Sequence, residues 1–259
     1  MRWSRILVVG TVMSLGWPAA AHFQEILPSA DVLPDGGAVR LDLIFTHPMD
    51  RGPTMEMVRP QRLGVLRGGE VIDLSDSLTE QKVDGKTAWS VNETLAEPGA
   101  AIFFVEPAPY WEPAEGKFIL HYAKVVVDSF ASGQGWDAMV GLPAEIEPLV
   151  RPTGLWTGNL FRGIVTKDGE PVPFAEIEVE YVNDGSIMAP NDAFVTQVIK
   201  ADAGGVFAYA MPRAGWWGFA ALMEGDQPMR SPDGKTVPVE LGALIWIKTV
   251  DMVPSTVAQ

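Results

Sequence analysis

Apolar and polar residues alternate in short runs along most of the chain. Residues 39–45 follow this pattern, and residues 63–74 have the pattern of a hairpin whose turn is formed by residues 67–70. Alternation with a period of two predicts strands that bury one face. Other alternating or short apolar runs occupy residues 89–92, 101–105, 118–127, 161–165 and 175–182. Because Pro and Gly recur every few residues and no long helical pattern follows residue 21, the sequence predicts an all-β fold.

A proline-rich stretch at residues 143–156 divides these runs into two groups. It lacks clear alternation, which is typical of an ordered linker. The sequence therefore predicts two tandem antiparallel β-sandwich domains, at residues 22–150 and 156–259. The second group contains a strand, an Asp168-Gly169 turn and another strand. In this it resembles the prealbumin-like and carboxypeptidase-regulatory β-sandwiches, which are usually structural, so we expect any chemistry to lie mostly in the first domain.

Residues 1–21 have the pattern of a secretory signal peptide. Two arginines precede an apolar run at residues 6–17, and small residues at positions 18–21 provide a cleavage site. The apolar run is shorter than the roughly 20 residues that a membrane span needs. The pattern therefore predicts export to the periplasm. Cleavage after Ala21 would make His22 the first residue and give it a free α-amine, whereas cleavage one residue earlier would leave Ala21 in front of it.

Composition narrows the possible chemistry. The chain has 33 Asp and Glu against 19 Lys and Arg, a formal charge of −14, and no Cys. This acidic balance argues against a nucleic-acid partner, which needs clustered basic residues. Without Cys, disulfides, zinc fingers, iron–sulfur clusters and thiol nucleophiles are excluded, so metal ligands must come from His, Met or carboxylates. The sequence also lacks a serine nucleophile elbow and a glycine-rich phosphate loop.

The three histidines are the candidate metal ligands. His22 lies at the predicted mature terminus, His47 follows the strand predicted at residues 39–45, and His121 lies within the strand predicted at residues 118–127. A terminal His offers two nitrogens, its α-amine and a ring nitrogen, and two further imidazoles would complete a nitrogen-rich site. Such a site suits Ni(II) or Cu(II), whereas three imidazoles in a tetrahedron suit zinc. A single strand-borne histidine, by contrast, is more often a packed core residue.

The loop at residues 48–60 offers further candidate ligands. Glu56 provides an oxygen, and Met55 and Met57 have the spacing by which thioethers hold Cu(I). The same spacing places both methionines on one face of an extended strand, which is the simpler interpretation. We therefore predict a site formed by the three histidines, with Glu56 or a methionine of this loop as an additional ligand.

Two further motifs have simpler interpretations than a binding site. Glu176, Glu178 and Glu180 alternate with apolar residues, which predicts the solvated face of a strand rather than an acid–base pair. Trp216 and Trp217 are flanked by glycines, and such aromatic residues in a β-domain usually fill the core or an interface rather than form a carbohydrate platform.

Six short stretches carry a resemblance to a known family. They are residues 21–24, 45–57 and 121–124 in the first half, and residues 201–207, 212–222 and 240–246 in the second. Together they resemble an uncharacterised bacterial exported family that is assigned to the periplasmic component of cobalt/nickel transport. The resemblance implies a periplasmic protein that binds Ni(II) or Co(II) as cargo and presents it to an inner-membrane transporter. Some members carry a histidine after the last tryptophan-containing strand, whereas residues 247–251 of this chain contain none.

Two other classes of function are compatible with these residues. A terminal His with a second His is how lytic polysaccharide monooxygenases hold copper on a β-sandwich, which would make the chain a copper-dependent oxidative enzyme. In the other class, the sandwiches present aromatic loops to a carbohydrate or protein partner and the histidines are packed. Geometry discriminates between these, because histidines more than ~10 Å apart cannot share an ion whose bonds are about 2 Å long.

Overall fold

The computed structural model describes residues 22–254, and strands form most of this part of the chain. The strands of the first half are β1 (Phe23–Pro28), β2 (Val32–Leu33), β3 (Gly37–Thr46), β4 (Arg62–Arg67), β5 (Glu70–Asp73), β6 (Thr79–Val83), β7 (Lys86–Leu95), β8 (Gly99–Glu106), β9 (Tyr110–Glu112) and β10 (Lys117–Ser129). Those of the second half are β11 (Ala144–Pro148), β12 (Leu155–Trp156), β13 (Leu160–Lys167), β14 (Glu170–Pro171), β15 (Glu176–Tyr181), β16 (Gln197–Lys200), β17 (Val206–Ala210), β18 (Gly215–Glu224), β19 (Met229–Arg230), β20 (Thr236–Val237) and β21 (Val239–Val250). The all-β prediction is confirmed.

Helical structure in the described residues is limited to two short 3-10 turns, at Ser75–Ser77 and Asp192–Phe194. Within residues 22–254, no helix is long and apolar enough to cross a bilayer. The predicted signal peptide, at residues 1–21, lies outside the described residues.

A large sheet of eleven strands runs through both halves of the molecule. Its main strand order is β16-β15-β18-β21-β10-β8-β4-β5, with β2 and β9 paired to β10 and β12 paired to β21. β10 and β21 lie side by side in parallel, from the pair Phe118–Val239 to the pair Val125–Trp246. Most of the other pairs are antiparallel, as predicted. A parallel pair is possible here because a long stretch of chain separates the two strands.

Two hydrophobic cores lie on opposite faces of the large sheet. In β21, Trp246 belongs to the first core, which the sheet β1-β3-β7-β6 completes. Ala243 and Ile245 belong to the second core, completed by β11, β13, β14 and β17. Successive side chains of a strand point to opposite faces, so the two sandwiches share the large sheet. Trp216 packs against the first core and Trp217 lies in the second, which confirms their prediction as core residues.

The proline-rich stretch predicted as a linker contains a strand. Ala144–Pro148 forms β11 and pairs with β13, from Ala144–Lys167 to Pro148–Gly163. Ala144 and Ile146 are fully buried in the second core. The strand has only five residues and ends at a proline, which is too short a run for alternation to be detected in the sequence. The strand therefore packs with the second half of the chain rather than connecting the halves as irregular structure.

The prediction of one solvated face for Glu176, Glu178 and Glu180 is wrong at Glu180. Glu176 is exposed, whereas Glu180 is buried and accepts hydrogen bonds from the backbone N–H of Met49 and the hydroxyl of Thr196. Burial raises the pKa of Glu180 to about 7. The physical reason is that the segments containing Met49 and Thr196 lie against this end of β15 and contact the Glu180 carboxylate.

Candidate functional site

The register of the first two long strands places His22 beside His47. β1 and β3 are antiparallel, and their register runs from Pro28–Leu41 to Phe23–Thr46. One further step along this register brings His22 opposite His47. The ring centroids of the two histidines lie 4.7 Å apart. His47 is buried and His22 is partly exposed, so this pair lies at the edge of the first core.

His121 reaches the same region from the large sheet. It lies on β10 opposite Gly242 of β21, and its side chain is 1% exposed. A Cβ atom at position 242 would lie 2.3 Å from Cδ2 of His121. The imidazole therefore occupies the space that any side chain at position 242 would need, and the packing of His121 requires glycine there.

Phe45 and Tyr110 bring the three histidines into one cluster. The ring centroid of Phe45 lies 5.6 Å from that of His22 and 6.0 Å from that of His121. The ring of Tyr110 lies 5.0 Å from Phe45 and 6.1 Å from His22. We call these three histidines and two aromatic residues the histidine cluster. All three histidines predicted as metal ligands belong to it.

A small cavity opens beside the histidine cluster. Its volume is about 30 Å³, and its lining includes Phe45, Tyr110, His121, Glu56 and Met57. A water molecule needs about 10–15 Å³ of such space. The cavity therefore has room for one or two waters or for an ion of similar size.

Two glutamates each contact one imidazole of the cluster. Oε2 of Glu112 lies 3.1 Å from Nε2 of His22, and Oε1 of Glu240 lies 3.2 Å from Nε2 of His121. Residues two positions apart on a strand point to the same face. Glu112 therefore lies on the same face of β9 as Tyr110, and Glu240 lies on the same face of β21 as Gly242. Reasoning from the sequence missed both glutamates, because they reach the histidines only through the pairing of β9 and β21 with β10.

The electrostatic surroundings favour a neutral imidazole at His22. The pKa of His22 is lowered to about 4, first by burial and then by the charges of His47 and His121. Burial alone would raise the pKa of Glu240, but the hydrogen bonds and charges of His121 and Lys117 outweigh it and hold this pKa at about 2. At neutral pH, His22 therefore has a free lone pair, which is the form in which imidazole binds metals, and Glu240 is ionised.

The second ring nitrogen of His121 is buried without a hydrogen bond. Nε2 bonds to Glu240, whereas Nδ1 has no partner within residues 22–254. An ionised carboxylate only accepts hydrogen bonds, so Nε2 carries a hydrogen, and in a neutral imidazole Nδ1 then presents a lone pair. Leaving a buried polar group unpaired costs about 1–3 kcal/mol. A bound cation would satisfy this nitrogen.

Glu56 and the methionines of the same loop are engaged elsewhere. The carboxylate of Glu56 accepts hydrogen bonds from the backbone N–H and the hydroxyl of Thr87, although the residue also lines the cavity beside His121. Met55 and Met57 are buried in the first core, as the simpler interpretation of their spacing predicts. The structure thus brings the three histidines together and directs the Glu56 carboxylate toward Thr87.

The side chains alone do not form a complete metal site. Within residues 22–254, no group of three or more His, Cys, Asp or Glu side chains is arranged to hold a metal ion. The backbone nitrogen of His22 is an amide while residue 21 precedes it, and an amide nitrogen is a poor ligand compared with an amine. The predicted cleavage after Ala21 would convert this nitrogen into the additional donor.

Comparisons with solved structures find similar proteins of low sequence identity. Trypsin-activated α-2-macroglobulin of Escherichia coli is 12% identical, with coverage of 91% of this chain and 16% of that chain and a TM-score of 0.27. The adhesin InvE of Yersinia pseudotuberculosis is 11% identical, with coverage of 88% and 61% and a TM-score of 0.24. A titin fragment is 12% identical, with coverage of 89% and 99% and a TM-score of 0.22. The chain thus spans less than two thirds of the first two proteins.

Sequence comparison identifies the family. A search of curated proteins finds no match. The profile described as "Domain of unknown function (DUF4198)" matches residues 19–225, which include β1 to β18 and all members of the histidine cluster. Because this match covers most of the sequence, the chain belongs to the family defined by the domain of unknown function DUF4198.

Proposed function

We propose that the protein binds one divalent metal ion, Ni(II) or Co(II), through His22, His47 and His121, and carries it in the periplasm for delivery to an inner-membrane transporter. The observation that carries this proposal is the convergence of the histidines. The sequence contains three histidines. Ring contacts connect all of them: His22 contacts His47, and both His22 and His121 contact Phe45. Packing alone gives no reason for every histidine of a chain to gather at one point.

The lowered pKa of His22 supports a cationic ligand in the cluster. Three imidazoles at this distance repel one another when protonated, which is one cause of the lowered pKa of His22. Neutral imidazoles offer lone pairs, and the Nδ1 lone pair of His121 is buried without a partner in the described part of the chain. Binding a divalent ion would satisfy these lone pairs, because imidazole is a preferred ligand of Ni, Cu and Zn.

Removal of residues 1–21 would complete the donor set. A free α-amine and Nδ1 of the same histidine can close a chelate ring around one ion, so that His22 would supply two ligands. With His47 and His121 this gives the nitrogen-rich environment that suits Ni(II) and Cu(II). Glu56 is held by Thr87 and contributes at most a further oxygen after a side-chain rotation. A loosely completed shell is suited to a protein that must release its cargo.

The role in transport rests on the predicted export and on the family resemblance. The pattern of residues 1–21 is typical of signal peptides and predicts export to the periplasm, where metal ions are collected before uptake. The formal charge of −14 attracts cations to the protein surface. The motifs shared with the family assigned to cobalt/nickel transport point to an inner-membrane transporter as the partner that receives the ion.

Metal titration of the processed protein tests this proposal. The chain beginning at His22 is titrated with Ni(II), Co(II), Cu(II) and Zn(II), and we expect one ion per chain. His47→Ala and His121→Ala should each weaken binding. A matched protein that retains Ala21 keeps the three imidazoles and moves the free α-amine from His22 to Ala21. The amine and Nδ1 of His22 can then no longer form their chelate ring, so this protein should also bind more weakly. Failure of the processed protein to bind Ni(II) or Co(II) would refute the proposal.

Copper-dependent oxidation is the second candidate, and the direct contact of His22 with His47 favours it. A terminal histidine paired with a second histidine is a donor set for copper as well as for nickel. The copper-loaded protein is incubated with a reductant, oxygen and a polysaccharide. Oxidised sugar products would establish an enzyme, whereas an unchanged polysaccharide together with preferential Ni(II) or Co(II) binding would support the transport role.

A further inference from the structure

Glu112 and Glu240 each use one oxygen for an imidazole and the other for a fixed donor. Oε1 of Glu112 accepts a 2.9 Å hydrogen bond from the backbone N–H of Ala114, while Oε2 lies 3.1 Å from Nε2 of His22. Oε2 of Glu240 accepts a 2.5 Å hydrogen bond from Nζ of Lys117, while Oε1 lies 3.2 Å from Nε2 of His121. The N–H of Ala114 and the ammonium of Lys117 can only donate hydrogen bonds. Each therefore holds one carboxylate oxygen in place and leaves the other oxygen facing the histidine.

This arrangement determines which ring nitrogen carries the hydrogen. A carboxylate accepts hydrogen bonds, so Nε2 of His121 donates to Glu240, and the 3.1 Å contact with Glu112 favours a hydrogen on Nε2 of His22. A neutral imidazole has one N–H, and Nδ1 of His22 and His121 therefore keeps its lone pair. For His121, this agrees with the buried Nδ1 that has no hydrogen-bond partner within residues 22–254. For His22, Nδ1 is the ring nitrogen from which a chelate with its own α-nitrogen can form.

We propose that Glu112 and Glu240 are positioning residues that hold His22 and His121 as the tautomers whose Nδ1 atoms bind the metal ion. This inference rests on the proposed metal-binding function and specifies its donor atoms. A metal-ligating histidine that donates its other N–H to a carboxylate is fixed in orientation and is a stronger base. Loss of such a partner typically weakens metal affinity about 10- to 100-fold.

Replacement of each glutamate by glutamine gives a specific test, because the fixed donors do not change. The N–H of Ala114 or the ammonium of Lys117 continues to require an acceptor, so the amide oxygen faces that donor and the amide NH₂ faces the imidazole. Nε2 must then accept, and the ring hydrogen moves to Nδ1, where it blocks coordination. We expect Glu112→Gln and Glu240→Gln each to weaken Ni(II) binding about 10- to 100-fold.

Glu115→Gln is the matched control. Glu115 also pairs with Lys117, at 2.5 Å, and the positioning role assigns no imidazole to it. This variant should bind Ni(II) as the wild type does. Circular dichroism of all three variants shows whether the β-structure is retained.

Nitrogen-15 NMR of the imidazoles in the metal-free protein measures the tautomers directly. In the wild type, Nδ1 of His22 and His121 should be unprotonated, and it should become protonated in the corresponding glutamine variant. An unprotonated Nε2 in the wild type would overturn the assignment even if a variant failed to fold. Glutamine variants that bind Ni(II) like the wild type would overturn the positioning role alone, whereas a wild type that binds neither Ni(II) nor Co(II) would overturn both proposals.

Discussion

Replacing Gly242 with alanine perturbs the packing that holds His121 in place. A Cβ atom at this position would lie 2.3 Å from Cδ2, 2.8 Å from Cγ and 2.9 Å from Nε2 of the His121 ring. Carbon atoms in favourable contact are about 3.5–4.0 Å apart. The overlap at Cδ2 is therefore about 1 Å, which is too large to be absorbed without moving the ring or the strand.

Either movement weakens contacts that the structure depends on. Moving the ring would break the 3.2 Å hydrogen bond to Glu240 and the contact with Phe45, whose centroid is 6.0 Å away. Moving β21 would disturb its pairing with β10, which joins the two halves of the large sheet. Inserting a methyl group into a well-packed core costs about 1–3 kcal/mol. We expect Gly242→Ala to lower the free energy of unfolding by about this amount and to weaken Ni(II) binding.

Urea denaturation of a double-mutant cycle is the assay. His121→Ala removes the ring, so the further change Gly242→Ala should then cost little, and the two substitutions should be strongly non-additive. Gly204→Ala is the control, because this glycine is exposed and the atom nearest to a Cβ there would be Oδ1 of Asp202, at 3.3 Å. Additive effects of the two substitutions, or a Gly242→Ala protein with wild-type stability and Ni(II) affinity, would show that the packing of His121 does not require glycine at position 242.

Three further predictions concern buried charge, and urea denaturation of the metal-free protein measures each. The pKa of His22 falls from 6.5 to about 4 on folding, so the unfolded chain binds this proton more readily. The free energy of unfolding should therefore decrease as the pH falls through this interval, and it should decrease less in His22→Phe. An equal dependence of stability on pH in the two proteins would contradict the prediction. Burial and the charge of Glu180 raise the pKa of Glu25 from 4.5 to about 8, so the folded state retains a proton that the unfolded state releases. The free energy of unfolding should therefore decrease as the pH rises through this interval. Near pH 8, Glu25→Gln should be more stable than the wild type. Lys124→Met leaves the buried carboxylate of Glu145 without its ammonium partner, which lies 2.6 Å away in the wild type. This change should lower the free energy of unfolding by about 3–5 kcal/mol. A variant as stable as the wild type would contradict the prediction.

Local alternation predicted the strands well but not their partners. Residues 39–45 and 118–127 lie within β3 and β10, because a period of two is a property of each segment by itself. One neighbour of β10 is β21, which follows it after most of the second half of the chain. No local pattern indicates that pairing. For the same reason the sharing of one sheet by two cores could not be predicted, since it depends on which strands become neighbours.

The candidate site was predictable only in part. His22, His47 and His121 could be found because the residue types that bind metals in a cysteine-free chain are few. Glu112 and Glu240 could not be selected from 33 acidic residues, since their role depends on distances of 3.1 Å and 3.2 Å that pairing across β10 creates.

The contacts of His22 link processing of the chain to metal binding. Its side chain is held by the ring of His47, the ring of Phe45 and the carboxylate of Glu112, and none of these contacts involves its backbone nitrogen. Cleavage after Ala21 therefore changes one donor, from an amide to an amine, and leaves the imidazoles as they are. Under the proposed function, metal affinity rises at the moment of cleavage, so that loading is restricted to the processed protein. A chain that retains Ala21 and binds Ni(II) as tightly as the chain beginning at His22 would show that the α-amine of His22 has no part in the site.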